Sequence, residues 1–275
     1  MEPQPLPVYG ISRIWLEVRQ LGRAIHFYRD IMRLPLVRIE RDMAFFDVDG
    51  QQLVLTEPQV FPDGSVAGVL CHVAFAIDPQ AEAAYAQKIQ ESGGNTYSVG
   101  FGHYVDDPDG NLIEFWNESQ WPHQRRAPLA GNEIAPLQAI VESSLLVTDS
   151  AQALEFYRDW LGLQNLAAVP EQGQPFMRAR FPSGQDILLW LPGIFMGTAR
   201  AGRNMRLTLA CASLREVAEF LSSRQIRYTL LQDKLYFRDP FGHCFEVETV
   251  SDWPLPASGK PECWSYPKRP TESLR

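Results

Sequence analysis

Lysine is scarce in this chain: four residues among 275, within a formal net charge of −8. A nucleic-acid partner calls for a basic face, so the charge balance argues against one. No apolar run reaches the length of a membrane-spanning helix, and no membrane contact is expected. Met1-Glu2-Pro3-Gln4-Pro5 lacks the basic start and apolar stretch of a secretory signal. Cysteine is sparse as well. Cys71, Cys211, Cys244 and Cys263 show no CxxC spacing and share no equivalent place in the chain. They read as buried, reduced thiols of a cytoplasmic protein, not as a disulfide framework. The hydrophobic share of 45% and charged share of 21% are those of an ordinary globular protein.

What the chain has is repetition. Ala24-Ile25-His26-Phe27-Tyr28-Arg29-Asp30 returns as Ala153-Leu154-Glu155-Phe156-Tyr157-Arg158-Asp159. Tyr104-Val105-Asp106-Asp107-Pro108-Asp109-Gly110, followed by Glu114, returns as Tyr236-Phe237-Arg238-Asp239-Pro240-Phe241-Gly242, followed by Glu246. Trp121-Pro122 recurs as Trp253-Pro254. A repeat this long is a duplicated domain, not an array of short units. The expected division is an N-terminal extension at 1–10, a first module at 11–122, a linker at 123–139, a second module at 140–254 and a Pro-rich tail at 255–275.

Each copy divides again. In the first, a strand from Ile11 to Val18 leads to a helix from Gly22 to Met32 and to strands at Leu36–Glu40, Met43–Val48 and Gln52–Thr56. Asp49-Gly50 marks a hairpin. A second round follows: strand Cys71–Ile77, helix Ala81–Ser92 closed by Gly93-Gly94, then Thr96–Val99, His103–Asp106 and Leu112–Asn117. The chain is therefore expected to be α+β, built of four βαβββ units that form two modules of curved mixed sheets with helices outside.

Alternation assigns the faces. Val73, Phe75 and Ile77 belong on the helix side, leaving His72, Ala74 and Ala76 opposite. Ile113 and Phe115 leave Leu112, Glu114 and Trp116 opposite; Ile14, Leu16 and Val18 leave Arg13, Trp15 and Glu17. Val141, Leu145 and Val147 are placed on the helix side, with Glu142, Ser144 and Leu146 across from them. Arg206 and Thr208 share the second face, as do Cys244, Glu246 and Glu248. A sheet face of small residues with a few convergent polar groups suits a ligand-holding concavity; a solvated face is the alternative.

The repeated motifs, in this order and present twice, resemble those of the vicinal oxygen chelate superfamily. That superfamily includes glyoxalase I, extradiol ring-cleaving dioxygenases, fosfomycin-resistance enzymes and bleomycin-binding proteins. The resemblance covers all but the linker and the two ends. It implies a fold of two glyoxalase-like modules and metal ligands on the second sheet face. The ligand positions carried over from it hold Arg13, Val54, His72 and Glu114 in the first copy, and Glu142, Leu188, Arg206 and Glu246 in the second. His72 and Glu114 look like retained ligands, whereas guanidinium cannot coordinate a cation. Leu235-Tyr236 with Asp239-Pro240, Gly242 and Glu246 fits the end of the extradiol signature, but the upstream His is missing. Tyr104 stands where those enzymes keep an acid/base tyrosine.

Two assemblies of the half-units are open. Local pairing would put Arg13 with His72 and Glu114, and Arg206 with Glu142 and Glu246. Swapped pairing would collect His72, Glu114 and Glu142 in one pocket and Arg13, Arg206 and Glu246 in the other. The first of the swapped pockets is a credible set for a divalent ion of Fe, Mn, Zn or Ni. The resemblance thus implies a metal-dependent ring-cleaving dioxygenase, lyase or isomerase acting on a small substrate with adjacent oxygens. Arg13, Trp15, Trp116, Arg206, Tyr236 and Glu246 are the candidate substrate-binding residues. A metal-free binding protein of the bleomycin-resistance type, or a non-catalytic scaffold, is the alternative. A homodimer is compatible with either.

Overall fold

The computed structural model describes residues 5–57, 70–77, 80–99, 102–117, 137–163, 176–191 and 206–251. Trp121, Trp253, His123, Cys263, most of the stretch read as a linker and the whole tail from 255 lie outside them. The first unit is β1 (Gly10–Glu17), α1 (Leu21–His26), β2 (Leu36–Glu40), β3 (Met43–Val48) and β4 (Gln51–Thr56). The second is β5 (Leu70–Ile77), α2 (Glu82–Glu91), β6 (Asn95–Val99), β7 (Gly102–Asp106) and β8 (Leu112–Asn117). The third shows β9 (Leu137–Leu146), α3 (Ser150–Leu154), β10 (Phe176–Arg180) and β11 (Asp186–Trp190). The fourth is β12 (Arg206–Cys211), α4 (Leu214–Ser223), β13 (Tyr228–Leu231), β14 (Lys234–Arg238) and β15 (Cys244–Thr249).

Local chemistry sets the element ends. Ser213 caps α4 by accepting from the Glu216 amide at 3.4 Å, and Asp149 caps α3 through the Gln152 amide at 3.0 Å. Asp49 and Gly50 both take positive φ, 50° and 88°, the backbone that a two-residue hairpin demands.

The strands form two mixed sheets. One has the order β13-β14-β15-β12-β1-β4-β3-β2, the other β10-β11-β9-β5-β8-β7-β6. The first sheet joins units one and four; the second joins units two and three. The pairing is therefore the swapped one. Antiparallel β1–β12 and β5–β9 contacts stitch the units together across the copies.

α1 runs directly into a π-helical turn, Phe27–Ile31, and α3 into another, Glu155–Trp160. The spacing predicts a helix over Gly22–Met32, and the structure widens its second part. The widened turns carry the recurrent tyrosines. Tyr28 donates to Asp107 Oδ2 at 3.0 Å, and Tyr157 to Asp239 Oδ2 at 2.6 Å; both phenols are fully buried. The two halves of the repeated motif thus bond to each other. They tie the helix of one unit to the Asp-Pro turn of the next, so their recurrence is a requirement of the fold.

A second device was not legible in the sequence. Gln185 accepts from the Ile11 amide at 2.8 Å, and Gln51 accepts from the Ile140 amide at 2.8 Å. Each also donates to the carbonyls of both Ile11 and Ile140, at 2.9–3.1 Å. This buried, pseudo-symmetric clamp fastens β1 to β9 where the two sheets meet.

The apolar faces share one core. It contains Ile14 and Leu16 of β1 with Val18 just beyond it, Val73, Phe75 and Ile77 of β5, and Leu207 and Leu209 of β12. The opposite faces carry the polar side chains. Val141 departs from the expected alternation. Between Ala74↔Glu142 and Phe75↔Ile140 the register slips by one residue, and Val141 is the extra one. It packs with Ala74, Ala76, Trp116 and Ala139 instead of the main core. A β-bulge re-aims side chains in this way. β1 has the same irregularity between Ile11 and Arg13.

Candidate metal centre

The polar face of the seven-stranded sheet brings three ligand-type side chains together. Ala74, on central β5, is paired with Glu114 of β8 on one side and with Glu142 of β9 on the other. Its methyl group leaves space over the strand into which both carboxylates lean. His72 lies two residues earlier on β5 and so points to the same face. His72 Nε2 is 2.9 Å from Glu114 Oε2 and 3.1 Å from Glu142 Oε1. One ligand atom from each of the three residues lies within 4.8 Å of the others, and all three side chains are buried.

Neighbours orient this set. Tyr104 donates to Glu114 Oε1 at 2.9 Å, holding the oxygen that faces away from His72. Ser144 Oγ is 3.0 Å from His72 Nε2, and the Trp190 indole N–H donates to Ser144 at 3.0 Å. Ser144 and Trp190 were not singled out as site residues, although Ser144 shares the face of Glu142 two residues on. Leu188, paired with Ser144, is buried and offers no donor atom, so among the described residues the ligand-type set is His72, Glu114 and Glu142. Trp116 is buried among Ala74, Ala76, Ala139 and Val141, two residues along from Glu114 and so on the same face.

The electrostatics fit a cation. Burial opposes charge on His72, but the flanking carboxylates of Glu114 and Glu142 outweigh it and lift its pKa to about 9. Burial raises the Glu142 pKa to about 7; the bond from His72 opposes this and the charge of Glu114 adds to it. Two carboxylates that close in a dry setting demand a positive partner. One imidazole nitrogen and two carboxylate oxygens are suitable donors for a divalent ion, so the residues present fit a metal.

The other sheet carries the counterpart face, with different chemistry. Arg13 stands in place of Glu142, Arg206 in place of His72, and Glu246 in place of Glu114. Arg206 Nε is 3.2 Å from Glu246 Oε2, and Arg13 reaches Glu248 Oε2 at 3.2 Å and Glu246 Oε1 at 3.8 Å. Lys234 adds a third cation, 2.5 Å from Glu246 Oε1. Trp15 is buried beneath them, with the Arg206 guanidinium 3.8 Å from its ring centroid and its indole N–H donating to Thr208 at 2.9 Å. Tyr236 lies on the same face, paired with Glu246, and its hydroxyl is held protonated by burial and then by the charge of Glu246. The sequence-derived candidates Arg13, Trp15, Arg206, Tyr236 and Glu246 therefore assemble here, apart from His72, Glu114, Glu142 and Tyr104. Lys234 and Glu248 join them.

Cys211 and Cys244 are buried, and burial pushes the Cys211 thiol up to about 11. A thiol shifted in that direction is not poised as a nucleophile. Among the described residues no helix is long and apolar enough to cross a membrane.

Comparison with known proteins agrees with this architecture. Residues 10–115 match the Glyoxalase/Bleomycin resistance protein/Dioxygenase superfamily. The chain is 28% identical over 116 residues to a metallothiol transferase, FosB, of Shouchella clausii, covering 39% of this chain and 79% of that protein. It is 26% identical over 183 residues to a catechol-2,3-dioxygenase of Bacillus subtilis, covering 54% of this chain and 62% of that one. The fold superposes on glyoxalase I from Zea mays with a TM-score of 0.62 at 15% identity, over 86% of this chain and 91% of that one. With four half-units paired across the copies and one face that gathers histidine and glutamates, the chain shares the fold of these proteins, and its residues 10–115 are similar to the glyoxalase, bleomycin resistance protein and dioxygenase superfamily.

Proposed function

We propose that this protein is a divalent-metal-dependent enzyme of the vicinal oxygen chelate class, with His72, Glu114 and Glu142 as its metal ligands. The observation that carries the reading is the buried convergence of these three side chains from β5, β8 and β9. A bound divalent ion would supply Lewis-acid stabilisation of the negative charge that develops on two adjacent substrate oxygens. Iron, manganese, zinc and nickel all accept such a donor set.

The protein's own groups do the rest. Tyr104 fixes Glu114 through Oε1, so that carboxylate is oriented before substrate arrives, and Ser144, held by Trp190, lies beside His72 Nε2, the nitrogen a metal would take. Leu188, paired with Ser144 and buried, would add hydrocarbon and no further donor beside the three side chains that would hold the ion. Arg178 ranks among the groups that favour the charged form of Glu142, so positive potential reaches the site from β10. The relatives named a metallothiol transferase, a catechol-2,3-dioxygenase and a glyoxalase I span transfer, ring cleavage and isomerisation; a small substrate with neighbouring oxygens is common to our reading of all three. We place this protein within that range.

The test is elemental analysis of protein purified without chelators, beside His72→Ala and Glu114→Gln. Near-stoichiometric metal in the wild type and little in either variant is the expected result. Metal content unaffected by both substitutions would sink the proposal. Reconstitution with each of the four ions, followed by assays with catechols, α-hydroxy thioester precursors and activated thiols, then separates the reaction types.

A further inference from the structure

We propose that the arginine-bearing face of the eight-stranded sheet is a metal-free binding site for a small organic monocarboxylate. Three observations carry this. First, the charge is inverted relative to the candidate metal centre: within one ion-paired cluster Arg13, Arg206 and Lys234 meet Glu246 and Glu248, three cations to two carboxylates, with Glu17 farther along β1. Second, that surplus is not at the surface. The side chains of Arg13, Arg206 and Lys234 are 16%, 11% and 25% exposed, and Glu246 is 1% exposed. Partly desolvated cations hold an anion more firmly than surface ones do. Third, the cations sit against an apolar wall, Trp15 packed with Phe45, Val54 and Met43.

These features select the ligand class. A surplus of one charge matches a monoanion, not a phosphate dianion. A guanidinium presents paired N–H groups at the spacing of two carboxylate oxygens. The Arg206 guanidinium already sits over the indole of Trp15, and the adjoining Phe45, Val54 and Met43 can carry a planar apolar remainder. The acidic side chains in the cluster hold the guanidiniums in place: Glu246 bonds Arg206 and Lys234, and Glu248 bonds Arg13. Ser12 donates to Glu248 at 2.9 Å and Thr208 to Glu246 at 3.2 Å, so hydroxyls share the load on both carboxylates.

Benzoate is the probe, titrated calorimetrically into the full chain in the presence of a chelator. One saturable site is expected, with no saturation by benzamide, its neutral isostere, and poor competition from inorganic phosphate. Affinity should fall about tenfold or more in Arg206→Gln and in Arg13→Gln. It should be unchanged in Glu114→Gln, which alters the metal centre alone. Lys234→Met, at the more exposed rim, should weaken binding severalfold and guards against misfolding of the arginine variants. No saturable benzoate binding would overturn the proposal. So would equal binding of benzamide, equal competition by phosphate, indifference to Lys234→Met and both arginine changes, or loss of binding in Glu114→Gln.

Discussion

Arg13 and Glu142 occupy the same point in the two copies, each directly after the residue that interrupts the register of its strand, and they carry opposite charges. The bulges are framework; the side chains presented beyond them differ. From that one exchange, together with His72 against Arg206, come a face that gathers ligand atoms and a face that gathers cations.

Tyr104 is placed to tune metal affinity through Glu114 without being a ligand. Tyr104→Phe removes the bond to Glu114 Oε1 and leaves all three proposed ligands in place. Metal affinity should weaken by about 10- to 100-fold, the usual range for loss of an outer-shell partner. Competition with a chelator of known affinity measures it; an unchanged affinity would remove Tyr104 from the site's machinery.

Ala74 should be as sensitive as the ligands themselves. Its counterpart on the other sheet is Thr208, whose hydroxyl bonds Glu246. Ala74→Thr introduces that hydroxyl between the two carboxylates, at a fully buried position. We expect metal content to drop while the fold survives, because the same residue type is accommodated at Thr208. Metal content equal to that of the wild type would show that the space above Ala74 is not used.

The metal-free protein should lose stability as pH rises. His72 has its folded pKa raised from 6.5 to about 9, so its contribution is complete below 6.5 and fades as pH passes 9. Glu142 has its folded pKa raised from 4.5 to about 7, so protonation favours the fold at low pH and that benefit fades as pH passes 7. Both act in the same direction. Chelated protein should therefore melt progressively lower between about pH 5 and 9, and Glu142→Gln should flatten the slope. A melting temperature that climbs over this interval in chelated protein, or a slope unaltered by Glu142→Gln, contradicts the assignment.

Gly10 is held to its identity by close packing. A Cβ there would lie 2.1 Å from Ser183 Oγ and 2.3 Å from Gln185 Oε1, the side chain that clamps Ile11. Gly10→Ala should cost about 1–3 kcal/mol by denaturant unfolding, as overpacking does. Adding Ser183→Gly should recover part of the loss. Full stability in the single variant would show that the junction between the sheets yields easily.

Much of this was legible in the residues. Strand periods and turn residues placed the elements, because period two and period 3.6 patterns act over a few residues. The faces of His72 and Glu114 followed from the same local rule. Val141 did not, since a bulge is decided by the partner strand and leaves no mark on the sequence of its own strand. The choice between local and swapped pairing rests on which half-units meet across more than a hundred residues. Both arrangements bury the same alternating pattern. The clamp of Gln51 and Gln185 stayed hidden for a similar reason: a glutamine at a strand edge reads as solvated until the opposing amide is seen. Ser144, Trp190 and Lys234 became site residues only when neighbouring strands brought them to His72 and Glu246.

The exchange of half-units has a developmental meaning for the chain. His72 and Glu114 come from one copy and Glu142 from the other, so neither copy owns the centre. Synthesis delivers the first two well before the third. A metal-binding signal followed during refolding would then report the meeting of the two copies, arriving after each has formed its own helices and hairpins, and it would serve as a clock for the last long-range step of assembly.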